Sequence, residues 1–190
     1  MYQSPDSKET FTQAAKAVKY WLEHIGEMQK QGMGLYICSG VKGSGKTRLA
    51  CSMANELMQK YQKSVKFTTS LGILEEIKST WSVRDNATES KLIRDLTYAD
   101  VLIIDDFGAD SGRDWINEKF YGIINGRYVD RKITIFTSNY RISQLPYDDR
   151  ITNRILERSY EIPFPEESVR KHIAEKARNN MIAAIQKGAK

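Results

Sequence analysis

Cysteine and histidine are scarce in this 190-residue chain, two of each, and their scarcity excludes whole classes of chemistry. Cys38 and Cys51 stand apart from any histidine, and His24 and His172 are isolated from each other. No zinc-ligand spacing and no disulfide framework are therefore written here. Both cysteines read as small core residues, Cys38 in a strand and Cys51 on an inward-looking helix stretch, and the histidines receive no chemistry. Long apolar runs are also missing, and nothing approaches membrane-spanning length. Residues 1–6 lack the basic-then-apolar pattern of an export signal, so a cytoplasmic protein with no membrane partner is expected. Repeats and low-complexity linkers are absent. One domain over 1–190 is expected, with a leading helix over 1–33, a core over 34–165 and a closing helix over 166–190.

The 41% hydrophobic content suits a globular domain, and the net charge of +5 is modest. Part of that charge has an evident use at one motif. Gly40-Val41-Lys42-Gly43-Ser44-Gly45-Lys46-Thr47 matches the phosphate-loop pattern Gly-x4-Gly-Lys-[Ser/Thr] in full. The apolar run Leu35-Tyr36-Ile37-Cys38 precedes it, and Leu49, Ala50, Met53, Ala54, Leu57 and Met58 follow at helical spacing. Glycines let such a loop curl its N–H groups toward phosphate oxygens, and the positive end of the next helix adds to that field. Lys46 would reach the β- and γ-phosphates, Thr47 would bind Mg2+, and Lys42 and Arg48 add charge. The pattern implies a nucleoside triphosphate ligand, ATP or ADP with Mg2+.

Elsewhere, helical and strand patterns alternate. Thr10 and Gln13 can form a capping box ahead of the apolar stripe Val18, Trp21, Leu22, Ile25 and Met28. A strand is expected over 65–69, a helix over 71–81, a loop over 82–89 and a short helix over 90–96. The strongest strand covers 101–104, a long helix 115–128, another strand 133–137, a helix 148–158 and a short strand 160–162. Continuous apolar strands alternating with helices imply an α/β fold, a parallel sheet covered on both faces.

Val101-Leu102-Ile103-Ile104-Asp105-Asp106 is an apolar strand ending in two carboxylates, the Walker B arrangement. Asp105 would hold Mg2+ and Asp106 would polarise the attacking water. Asn139 ends the strand Ile133-Thr134-Ile135-Phe136-Thr137-Ser138 and would face the γ-phosphate if the strands are neighbours. Arg150 and Arg154, four residues apart, share one helix face. They form either a solvated basic face or a finger into a neighbouring subunit's nucleotide. Arg170 could approach the phosphates of its own subunit.

These motifs occur in the order Gly-Val-Lys-Gly-Ser-Gly-Lys-Thr, Ile-Asp-Asp-Phe-Gly-Ala-Asp, Phe-Thr-Ser-Asn-Tyr, Asp-Arg-Ile-Thr-Asn-Arg-Ile-Leu-Glu-Arg and Ser-Val-Arg. Over about 11–176 the chain resembles the AAA+ ATPase domain of bacterial and phage replicative helicase loaders of the DnaC/DnaI type, with IstB-like relatives. The resemblance implies a P-loop NTPase with a five-stranded parallel sheet in the order 5-1-4-3-2 and a reduced C-terminal lid. It implies Asn139 as sensor 1, Arg154 as arginine finger with Arg150 beside it, and Arg170 as sensor 2. It further implies ATP-dependent self-assembly on single-stranded DNA and delivery of a ring helicase during replication initiation. Two departures stand out. Most AAA+ ATPases carry Glu where this chain has Asp106, one methylene shorter, so slow hydrolysis is expected. The N-terminal helicase-binding module of DnaI-type loaders has no counterpart in these residues, so either an excised ATPase fragment or a naturally short relative is expected.

In the same family the helix after the second strand touches single-stranded DNA. Here Lys78, Trp81 and Arg84 are the candidates, with Lys66, Lys91 and Arg94 nearby. Trp81, in line with Leu74 and Ile77, has a core reading as well. The same residues also admit an IstB-like transposition helper, a small-molecule phosphotransferase and a nucleotide-gated binding module with negligible turnover. The phosphotransferase is disfavoured because the arginines fall late in the chain rather than in a lid.

Overall fold

Ser4 starts the first helix, its hydroxyl accepting from Ser7 N at 3.1 Å. Pro5 stands in the first turn, where its missing N–H costs nothing. The computed structural model describes residues 2–83, 86–110 and 114–188. Helix α1 (Pro5–Glu23) thus begins ahead of the expected capping box. Thr10 instead bonds back to Asp6 O at 2.8 Å, and Gln13 pairs with Glu9. His24 interrupts the helix, and α2 (Ile25–Gln31) ends at Gly32 in a left-handed conformation. The apolar stripe survives this break, since Val18, Trp21, Leu22, Ile25 and Met28 are all buried.

The remaining elements are β1 (Gly34–Cys38), α3 (Lys46–Gln59), β2 (Val65–Thr69), α4 (Ser70–Val83), α5 (Asn86–Tyr98), β3 (Val101–Phe107), α6 (Asp114–Val129) and β4 (Ile133–Ser138). A 3-10 turn (Ile142–Gln144) then leads to α7 (Asp149–Arg158), β5 (Ser159–Pro163) and α8 (Val169–Gly188). The five strands form one parallel sheet in the order β2-β3-β4-β1-β5, the expected arrangement. Alternate residues feed two cores, one on each face. Leu35, Ile37, Ile103 and Ile135 pack with α1, α2 and α3. Tyr36, Leu102, Ile104 and Phe136 pack with residues of α4 to α7. This two-sided burial explains why the strands read as continuous apolar runs.

Three expectations require correction. Cys51 is exposed, because the buried arc of α3 runs through Ala50, Met53, Ala54 and Leu57 and leaves position 51 outside. Within the expected loop over 82–89, α4 continues to Val83 and α5 starts at Asn86, while residues 84 and 85 lie outside the described residues. The closing helix starts at Val169, because the carboxylates of Glu166 and Glu167 are taken up by the phosphate loop and by the backbone at Gln3 and Ser4.

Candidate nucleotide site

The loop between β1 and α3 takes two left-handed turns, at Gly43 (φ 81°) and Gly45 (φ 107°). A Cβ on Gly43 would stand 2.9 Å from Ser168 Oγ and 3.1 Å from Arg170 Cβ, so close packing as well as torsion requires glycine there. Lys46 opens α3 and folds back under the loop. Its ammonium donates to Ser39 O at 3.1 Å, Val41 O at 3.3 Å and Asn139 Oδ1 at 3.0 Å. Burial lowers its pKa, while Asp106, Glu166 and Asp105 pull it back toward the charged form.

The register of β3 against β4 brings the Walker B carboxylates to this lysine. Ile104 pairs with Phe136, but Phe107 pairs with Ser138, so β3 bulges at Asp105 and Asp106. Asp105 stays buried and receives hydrogen bonds from Thr47 Oγ1, 3.0 Å from each carboxylate oxygen, and from Thr137 Oγ1. Asp106 adopts φ 53°, rare outside glycine though tolerated by Asp, and the bulge turns its side chain into the cavity over the loop. Thr137 Oγ1 accepts its amide at 3.0 Å. Burial and the neighbouring Asp105 raise the Asp106 pKa above the usual carboxylate range.

That cavity measures about 780 Å3. It is lined by residues 42–48, by Asp106 and Asn139, and by Val169, Arg170, Ile173, Ala174 and Ala177 from α8. Arg170 also anchors the loop, its amide donating to Gly43 O at 3.3 Å. Residues 42–48, from the loop and the first turn of α3, therefore converge with Asp106, Asn139 and Arg170. Gly40 and Val41 do not line the cavity. Their amides are held by the Glu166 carboxylate at 2.9 and 3.1 Å. Sequence reasoning overlooked Glu166; the acidic pair Glu166-Glu167 directly before Ser168-Val169-Arg170 was the available signal.

Arg150 and Arg154 lie away from this cavity, stacked on tyrosines of α6. At the proposed DNA face, Trp81 is 50% exposed, which departs from the core reading. It meets Trp115 edge-on at 5.1 Å, and Lys78 Nζ lies 5.4 Å from the Trp115 ring centre. Trp115, which sequence reasoning placed on a helix without a function, is thus part of that surface. Arg84 lies outside the described residues. No helix among the described residues is long and apolar enough to cross a membrane.

Sheet order, phosphate loop and bulged Walker B strand together define an AAA+ P-loop NTPase. Residues 29–177 match the family described as IstB-like ATP binding protein, and the chain belongs to it. It is similar to the replicative helicase loader DnaC of Buchnera aphidicola subsp. Baizongia pistaciae (strain Bp), 31% identical over 174 residues, 81% of this chain and 68% of that protein. Of two other Buchnera DnaC proteins it spans about half the length. Among solved structures, a DnaC helicase loader superposes with TM-score 0.70 at 21% identity, covering 86% of this chain and 93% of the other. The replication initiator DnaA bound to AMPPCP and single-stranded DNA gives TM-score 0.68 at 23% identity, covering 94% and 56%. At those identities the two structures speak for the fold.

Proposed function

We propose that this chain is an ATP-hydrolysing helicase loader that assembles on single-stranded DNA and delivers a ring helicase during replication initiation. The carrying observation is the convergence of Lys46, Asp106, Asn139 and Arg170 on one cavity above the phosphate loop. The triphosphate lies along the amides of 43–47 with Lys46 against the β- and γ-phosphates. Thr47 and Asp105 offer hard oxygen donors 3.0 Å apart, a set that suits Mg2+ with water and phosphate completing its shell. Bound there, the ion supplies positive charge against the phosphate oxygens. Asp106 takes the proton of the attacking water, Asn139 orients that water, and Arg170 stabilises charge from its own subunit. Arg154, with Arg150 beside it, serves the nucleotide of a neighbouring subunit. Asp106 stands where a longer Glu is usual, and turnover is accordingly slow and dependent on assembly. Lys78, Trp81, Trp115 and Arg84 contact the DNA strand.

The relatives named helicase loader support this reading. The IstB-like family match keeps a transposition helper as the second reading. Affinity purification of the tagged protein from its host, with and without ATP, separates the two. Recovery of a ring helicase supports the loader, and recovery of a transposase with no helicase overturns it. For the finger, mixing Lys46→Ala with Arg154→Ala chains should restore part of the ATPase rate that each lacks alone; no restoration contradicts action in trans.

A further inference from the structure

Arginine and tyrosine alternate along the contact between α6 and α7. Arg150, Arg154 and Arg158 recur every fourth residue and share one side of α7. Tyr121 and Tyr128 stand two turns apart on α6. The Arg150 guanidinium lies 4.9 Å from the Tyr121 ring centre and that of Arg158 lies 5.0 Å from Tyr128. Arg154 sits between them, 4.9 Å from Tyr121 and 5.5 Å from Tyr128. Its Nε donates to Asn125 Oδ1 at 2.8 Å, one Nη to Arg150 O at 2.8 Å and the other to Tyr121 Oη at 3.2 Å. Each terminal nitrogen keeps one further N–H.

Every one of these partners is neutral. Arg150 instead faces a carboxylate, Asp148, at 3.0 Å. Arg154 makes no ion pair among the described residues. Two aromatic faces and a side-chain amide therefore immobilise a long, flexible side chain while leaving its unit charge unsatisfied. A guanidinium held this way is ordered in advance for an anion arriving from outside the subunit.

We propose that Tyr121, Asn125 and Tyr128 are positioning residues that hold Arg154 in the pose offered to a neighbouring subunit's triphosphate. The inference rests on the reading of Arg154 as a finger in trans. Asn125 is the informative member, because its amide fixes the guanidinium without neutralising it.

The test is steady-state ATPase of the full chain under assembling conditions, alongside ATP affinity and melting temperature. Asn125→Asp keeps the hydrogen bond and adds a countercharge. It should lower kcat about tenfold to a hundredfold, with ATP affinity unchanged and melting temperature equal or higher. Asn125→Ala and Tyr121→Ala, which loosen the cradle, should lower kcat in the same direction. Tyr121→Phe, losing only the hydroxyl, replaces Tyr121→Ala if that variant does not fold. A merely structural role predicts wild-type kcat for Asn125→Asp, and that result overturns the proposal. Arg154→Ala separates the two levels. Full activity in Arg154→Ala removes the finger reading and the cradle with it. A defect there, combined with wild-type kcat in Asn125→Asp, removes the cradle alone.

Discussion

Asp106 combines a left-handed backbone, a raised pKa and a place on the cavity wall. Because the folded-state pKa lies above the unfolded one, protonation is favoured in the fold, and that contribution is lost as pH rises through the folded value. At neutral pH the ionised side chain therefore burdens the structure. Asp106→Asn, which tolerates the same backbone conformation, should raise the melting temperature at pH 7 and lower hydrolysis by about 10²–10⁴-fold. Calorimetry and phosphate release check both, and a lower melting temperature would contradict the assignment. The acidic limb of the wild-type pH–rate profile should lie above the ordinary carboxylate value of about 3.9. Arg127 matters for a different reason. It is buried, and its guanidinium donates to Leu96 O, Thr97 O, Ala99 O, Ile133 O and Thr134 Oγ1, tying the end of α5 to β4. Arg127→Met strands these acceptors and should cost about 3 kcal/mol, read by urea unfolding; a loss below about 0.5 kcal/mol would show that water replaces the guanidinium.

At the scale of elements, local signals were legible and tertiary ones were not. The phosphate loop could be read because its geometry is set by contiguous residues, and the strands because burial on both faces leaves continuous apolar runs. The bulge that turns Asp106 into the cavity was not readable, since it depends on the register slip between β3 and β4. Nor was the Glu166 hold on Gly40 and Val41, or the tyrosine stack on Arg154, because each joins segments distant in sequence. Cys51 was misplaced since a cysteine at a helix edge carries no strong pattern of its own. Helix α4 offers the clearest test at this scale. Trp81→Ala should weaken single-stranded DNA binding by about 1–3 kcal/mol, and Lys78→Ala should flatten the salt dependence by about 0.7 in log–log slope. Fluorescence anisotropy at several salt concentrations measures both. Unchanged binding by both variants would move the DNA surface away from α4 and α6.

For the whole molecule, the candidate nucleotide cavity is bounded by the phosphate loop, the ends of β3 and β4, and α8. Ligand at about 100 times its Kd stabilises the native state by about 2.7 kcal/mol. In a chain of this length each kcal/mol moves the melting temperature by about 2–4 °C. Mg·ATP should therefore raise the wild-type melting temperature by about 5–10 °C and leave Lys46→Ala nearly unmoved. An equal shift in both proteins would place the binding site elsewhere.

The most direct measurement is a crystal structure with a non-hydrolysable ATP analogue and Mg2+. Phosphate density is expected along the amides of 43–47, with Lys46 turned from Asn139 toward the phosphates and metal density between Thr47 and Asp105. Triphosphate density outside that cavity, for example in the smaller space of about 180 Å3 beside Glu166 and Arg141, would contradict it.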